Sequence, residues 1–177
     1  APKVLRDNAA QGLPPDEITI AELLKARGYA TAAIGKWHLG HLPAFLPMAQ
    51  GFDSWFGLPY SHDMNFVGPR VEGTPAWRNP ALYDPKPEYW NVPLMRNGEI
   101  VERPADHRTL TKRYTEEAVR FINENRSRPF FLYLAHSLPH IPLARSPEFV
   151  GHSTAGIYGD VVEELDASTG RSAIVWM

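Results

Sequence analysis

The chain has 177 residues and a formal net charge of −2, with 44% hydrophobic and 21% charged residues, a balance that suits one globular domain with its own hydrophobic core. That charge gives no reason to expect nucleic acid or an anionic membrane as a partner, and no apolar run reaches the length of a membrane span. There is no cysteine, which excludes disulfides and thiolate metal sites.

The chain opens at "APKVLRDN" with neither Met nor a signal-peptide pattern. In "ITIAELLKARG", Thr19 followed by Glu22 is a capping box, and Ile18 with Leu23 is placed as a hydrophobic staple. Lys25 and Arg27 fall in the last turn of this helix, and Gly28 takes the C′ position. Tyr29 to Ile34, "YATAAI", then reads as a short buried strand. Residues 41–108 are crowded with Pro, Gly and aromatics, including many of the seventeen prolines, and read as long ordered loops of the kind that carry sites. Within them "VPLMRNGEIVE" predicts a hairpin with Asn97-Gly98 as a type I′ turn.

From Thr109 to Asn125, apolar residues at Leu110, Tyr114, Ala118, Phe121 and Ile122 predict an amphipathic helix. Phe130 to Ala135, "FFLYLA", reads as a strand buried on both faces. Tyr158, Val161, Val162, Leu165 and Thr169 mark a last amphipathic helix, which runs on through "DASTGRSAIVWM" with no stop signal. Together with the opening that lacks Met, this reads as a piece of a longer protein. The order predicts a single α/β unit.

In open α/β sheets, ligands bind beyond the carboxyl ends of the strands. Both predicted strands deliver basic residues there: Lys36 and His38 after the first, His136 and His140 after the second. A lysine gives a fixed positive charge, and histidines can donate a hydrogen bond or move a proton near neutral pH, a set suited to a tetrahedral oxyanion. Singly, Lys-x-His at a strand end also fits a solvated turn, and a His after an apolar strand fits a bond to a nearby carbonyl. The glycine frame, Gly35 and Gly40, and the recurrence at a second strand end favour a site.

The block "LPPDEITIAELLKARGYATAAIGKWHLG" closely resembles the second signature of the sulfatase family, G-Y-x-T-x-x-x-G-K-W-H-x-G. The likeness continues through "GFDSWFGLPYSHDMN", "RPADHRTLTKRYTEEAVRFI", "RPFFLYLAHSLPHIPL" and "YGDVVEELDASTGR", in the order of the arylsulfatase A and N-acetylgalactosamine-6-sulfatase branch. The resemblance implies an α/β fold of the alkaline phosphatase type, present in part, with a mixed central sheet flanked by helices. It makes residues 1–177 the central part of a single catalytic domain, truncated at both ends.

By the same resemblance, Lys36 binds a sulfate oxygen, His38 is the general acid/base acting on a hydrated formylglycine, Ser61 contacts substrate, and His140 contacts the ester near its leaving oxygen. His62, Asp63 and His136 are read as hydrogen-bonding groups that fix loop shape. Trp37 is read as packing, and Tyr158 and Asp166 as residues that orient the last helix. The family's C-x-P-S-R or S-x-P-S-R segment is absent from the sequence, and so are its calcium-binding Asp pair and its later Asp-Asn pair with a following lysine. Calcium and formylglycine are therefore expected on residues outside this chain, with no metal ligand within it, and the chain alone is expected not to turn over substrate.

In the complete enzyme the resemblance implies that calcium and Lys36 hold the sulfate while a formylglycine hydroxyl attacks sulfur. The alcohol leaves with help from His140, and His38 then takes the second hydroxyl proton to expel sulfate. The expected substrate is a small-molecule or glycan sulfate ester, and the location periplasmic, secreted or lysosomal. Two alternatives stay open: a phosphate or phosphonate ester hydrolase of the same superfamily, and a non-catalytic relative that binds sulfated glycans.

Overall fold

A computed structural model describes residues 4–70, 72–75, 78–79, 82 and 86–176. Helix α1 (Ile20–Lys25) starts as the sequence predicts: the Thr19 side chain accepts from the Glu22 amide at 3.1 Å, and the Thr19 amide donates to the Glu22 carboxylate at 2.7 Å. It ends with the Gly28 amide bonded to the Lys25 carbonyl and the Tyr29 amide to the Leu24 carbonyl, while Gly28 turns left-handed at φ +83°. The expected staple does not form a packed pair, since Ile18 and Leu23 both stay exposed. The capping bonds alone punctuate this end.

Strand β1 (Ala30–Gly35) is buried along its whole length. It pairs in parallel with β2 (Ser54–Gly57) on one side and with β5 (Phe130–Ala135) on the other. Antiparallel β3 (Leu94–Arg96) and β4 (Glu99–Glu102) complete a mixed sheet of order β4-β3-β2-β1-β5. The predicted hairpin is present, with Asn97 and Gly98 at φ +49° and +94°, as a type I′ turn requires. Strand β2 falls where the sequence predicts loop. Its four residues are too few to show a period of two, yet Trp55 and Phe56 are buried.

Helix α2 (Leu110–Glu124) covers one face of the sheet, packing Tyr114 and Ala118 with Ile34, Phe56 and Leu58, and Phe121 with Ala30 and Ala32. Helix α1 and short 3-10 turns at Pro43–Phe45 and Pro47–Gln50 cover the other face, where Trp37, Phe52, Trp55 and Ala21 cluster. Strand β5 differs from expectation: it is half-buried rather than buried on both faces, and Tyr133 is 44% exposed. The cause is its place at the sheet edge, paired only with β1 among the described strands. The expected ordered loops are seen where described; residues 71, 76–77, 80–81 and 83–85 lie outside the described residues.

Helix α3 (Gly156–Trp176) packs on α2 rather than on the sheet, through bonds such as Thr115 Oγ1 to Ser168 Oγ at 2.5 Å. Its inward face is mixed: Val161 and Leu165 pack with Leu138 and Leu143 as the sequence predicts, but polar side chains share that face, which corrects part of the reading. Asp160, Glu164, Ser168 and Ser172 are buried beside Val161, whereas Tyr158, Val162 and Asp166 are exposed. The helix is oriented by Asp160, which accepts from the Gly151 and Ser153 amides and from Arg145, and by Glu164, which accepts from the Ser146 amide.

The glycines at the carboxyl end of the sheet admit no side chain. A Cβ at Gly35 would lie 1.9 Å from the Ala135 carbonyl oxygen, and one at Gly57 would lie 1.8 Å from the Gly35 carbonyl oxygen. Gly35→Ala is expected to destabilise the protein by about 3 kcal/mol or more in denaturant titration, because backbone must move to admit the methyl. Gly170→Ala, which meets open space on α3, should instead add about 0.5–1 kcal/mol.

Candidate active site

Beyond Gly35 the chain stays stitched to both neighbours. The Lys36 amide donates to the Ala135 carbonyl at 2.8 Å, the Trp37 amide to Leu58 at 2.9 Å, and the His38 amide to Pro59 at 3.1 Å. Gly35, His38 and Gly40 all adopt positive φ, at +109°, +60° and +118°. For His38 this left-handed conformation costs about 1–2 kcal/mol and is held by the surrounding bonds. Trp37 turns into the core, where its indole N–H donates to the Phe45 carbonyl at 2.7 Å and its ring meets Phe52 edge-on. Its neighbours Lys36 and His38 are therefore left half-buried at the rim.

The His38 Nε2 lies 2.9 Å from the Leu5 carbonyl oxygen. A carbonyl has no hydrogen to give, so Nε2–H donates and the neutral ring carries its open lone pair on Nδ1. Burial lowers the His38 pKa; the Leu5 bond and Asp63 oppose that shift, while Lys36 and His140 add to it. The same charges of His140, Asp63 and Lys36 act on His62. The segments that leave β1, β2 and β5 therefore bring Lys36 and His38, His62 and Asp63, and His140 into one electrostatic neighbourhood.

His140 is exposed, on a segment where the peptide bonds before Pro139 and Pro142 are cis. His62 is fully buried beneath it, with its Nε2 3.1 Å from the carbonyls of both His140 and Pro142. His136 is not part of this group, because its Nε2 pairs with Ser168 Oγ of α3 at 3.1 Å. Ser61 is 2% exposed, and its hydroxyl has no partner among the described residues; the same holds for the buried Oδ1 of Asp63. A cavity of about 730 Å³ opens beside the group, lined by Asp63 and Ile141 together with Arg6, Asn65, Phe66 and Arg70.

The sequence reading missed His107, which sits behind His62 with the two rings edge-on at 5.1 Å and has neither nitrogen bonded among the described residues. Nothing in "PADHRTL" marks it, since a His ahead of a helix reads as a capping or surface residue. Among the described residues, no group of three or more His, Cys, Asp or Glu side chains is arranged to hold a metal ion.

A sheet with a parallel centre and helices on both faces, with basic side chains gathered where its strands end, defines an α/β architecture of the alkaline phosphatase type. The sulfatase family profile matches residues 3–171, and the chain belongs to the sulfatase family. It is 41% identical over 171 residues to N-acetylgalactosamine-6-sulfatase of Mus musculus, covering 90% of this chain and 29% of that protein. Arylsulfatase G of Mus musculus is 38% identical over 174 residues, covering 90% of this chain and 32% of that protein. The chain thus spans about a third of the length of these curated relatives.

Among solved structures, Ps i-CgsB superposes with a TM-score of 0.74 at 26% identity, over 97% of this chain and 39% of that one. The same protein in complex with k-i-k-neocarrahexaose gives a TM-score of 0.72 at 26% identity, with the same coverage. PsFucS1 sulfatase from Pseudoalteromonas sp. gives 0.68 at 26% identity, over 97% of this chain and 37% of that one.

Burial lowers the pKa of His62 to about 4, of His107 to about 3 and of His136 to about 4. All three imidazoles are neutral when folded but take up protons when unfolded, once the pH drops below about 6.5. The unfolded state then binds more protons, so stability is full above that pH and is lost as the pH falls toward the folded values. With three such groups the slope approaches about 4 kcal/mol per pH unit. Thermal midpoints should fall steeply between about pH 6.5 and pH 4, and His107→Phe should flatten the curve by about one group's share.

Proposed function

We propose that the full-length protein is a sulfuric ester hydrolase acting on sulfate monoesters of a sugar or aryl alcohol, with residues 1–177 as the central part of its single catalytic domain. The observation that carries this reading is the convergence of Lys36, His38 and His140 at adjacent parallel strand ends. Membership of the sulfatase family supports the reaction class.

Lys36 supplies fixed positive charge to a sulfate oxygen; among the described residues it has no ion pair to neutralise it. Placing that charge before the reaction begins stabilises oxygen charge that grows in the transition state. His38 acts at Nδ1, the nitrogen left as acceptor by the Leu5 bond, and takes a proton as general base. Its lowered pKa keeps it neutral and ready to do so near pH 7. His140, exposed at the rim, meets the ester near its leaving oxygen. Ser61 belongs to the substrate-binding set because its hydroxyl is unpaired beneath the same rim.

The cavity beside Asp63 and Ile141 has the volume of an ordinary small-ligand site. It gives room for the alcohol portion of an ester beside the site, and the sugar named in N-acetylgalactosamine-6-sulfatase favours a saccharide there.

The family implies calcium and formylglycine, which would supply a Lewis acid and a nucleophile. The described residues of this chain do not fit a metal, and its sequence holds neither cysteine nor an S-x-P-S-R segment. Neither group enters the roles assigned to Lys36, His38 and His140.

Lys36→Ala and His38→Ala in the full-length protein should each lower kcat/KM for a nitrophenyl sulfate by about 10²-fold or more, the scale of losing an electrostatic or acid/base group. Trp37→Phe should act mainly on stability. Near-wild-type rates in both alanine variants would contradict the assigned roles. A matched nitrophenyl phosphate assayed alongside distinguishes sulfate from phosphate ester hydrolysis, and the sulfate ester should be the better substrate.

A further inference from the structure

His62 is fully buried, yet the two carbonyls it contacts belong to a segment whose side chain, His140, is exposed. Its Nε2 lies 3.1 Å from the His140 oxygen and 3.1 Å from the Pro142 oxygen. Neither acceptor can supply a hydrogen, so Nε2–H is shared between them. The segment's side chains Leu138, Ile141 and Leu143 pack with Val161 of α3, and the Leu143 amide donates to the Leu82 carbonyl at 2.9 Å, but neither tie holds these two carbonyls. Pro139 and Pro142 lack amide hydrogens, and among the described residues no backbone amide donates to the carbonyl of His140 or Pro142.

Behind His62 stands the His107 ring at 5.1 Å, itself 5.5 Å from the Trp90 ring, and the His140 ring lies edge-on at 5.8 Å on the other side. The imidazole is therefore wedged between core and loop. Its Nδ1 has no partner among the described residues, so the fold bears a desolvation cost for a ring whose one bonded atom faces the loop. A leucine would fill the space without that orphan nitrogen. What the histidine adds is the shared donor.

We propose that His62 is a positioning residue for catalysis, clamping the His140 and Pro142 carbonyls so that the His140 imidazole is held over the oxyanion position. The proposal rests on the reading of His140 as a substrate contact. The His140 ring donates from Nδ1 to the adjacent Ile141 carbonyl at 2.5 Å, which fixes it to its own backbone; the clamp sets where that backbone sits, because among the described residues no backbone amide holds the His140 and Pro142 carbonyls in its place.

The test uses the full-length protein with His62→Gln, His62→Asn and His62→Leu. The Gln amide nitrogen reaches about as far as Nε2 and keeps the donor, whereas Asn falls short and Leu has none. His62→Leu and His62→Asn should lower kcat/KM for a nitrophenyl sulfate by about tenfold or more, with His62→Gln within about threefold of wild type. On a His140→Ala background, His62→Leu should add less than about a twofold loss, since the clamp then has no ring to place. Hydrogen exchange at the Leu143 amide, which donates to the Leu82 carbonyl at 2.9 Å, should rise about tenfold in the Leu and Asn variants only.

Additive losses, or a Gln variant as damaged as the Leu variant, would overturn the positioning role. Unchanged exchange in the Leu and Asn variants would overturn the clamp itself. If His62→Leu does not fold, the Gln and Asn pair makes the same comparison. If His140→Ala alone leaves activity intact, the reading of His140 fails and with it the catalytic consequence of the clamp, while the exchange rates still decide whether the clamp exists.

Discussion

Everything at the candidate site depends on the in-register parallel pairing of β1 with β5, from Ala30 opposite Phe130 to Gly35 opposite Ala135. Because the two strands end at the same level, the residues that follow leave the sheet side by side. The Lys36 amide then bonds the Ala135 carbonyl, which fixes how the ammonium and the second strand's exit sit relative to each other. A slip of one residue would turn every side chain to the opposite face. The pairing is secured by contacts that only glycine permits, where the backbones of Gly35, Gly57 and Ala135 meet.

Around that constraint the polar groups are arranged in depth. Lys36, His38 and His140 lie at the rim, while His62 and His107 lie beneath, buried and neutral. The Lys36 side chain stays half-exposed, and beneath the rim His62 bonds the carbonyls of the His140 segment while His107 packs behind it. The polar face of α3 serves a parallel purpose on the far side of α2. There Asp160 and Glu164 gather the backbone amides of 146–153, the stretch that follows the His140 segment.

Much of this was legible in the sequence where local chemistry decides the outcome. The Thr19–Glu22 capping box, the left-handed Gly28, the Asn97-Gly98 turn and the apolar stripe of α2 each rest on interactions within a few residues, and each appears in the structure. What failed depended on distant partners. Strand β2 exists because β1 and β3 pair with it, and no pattern in "DSWFG" declares that. The edge position of β5 is a property of the whole sheet, and the polar seam of α3 depends on Thr115, His136 and the 146–153 loop. At the candidate site, the placement of Lys36, His38 and His140 beyond two buried strands was legible from the apolar runs that precede them, whereas the bonds from His62 join residues 78 and 80 positions apart.

The central claim is that one tetrahedral anion is gripped from both strand ends at once. A crystal structure of the full-length protein soaked with sulfate or vanadate tests it most directly. The account predicts a single anion within hydrogen-bonding distance of Lys36 Nζ and the imidazoles of His38 and His140. An anion bound elsewhere, or Lys36 and His140 turned toward separate pockets around it, would contradict it.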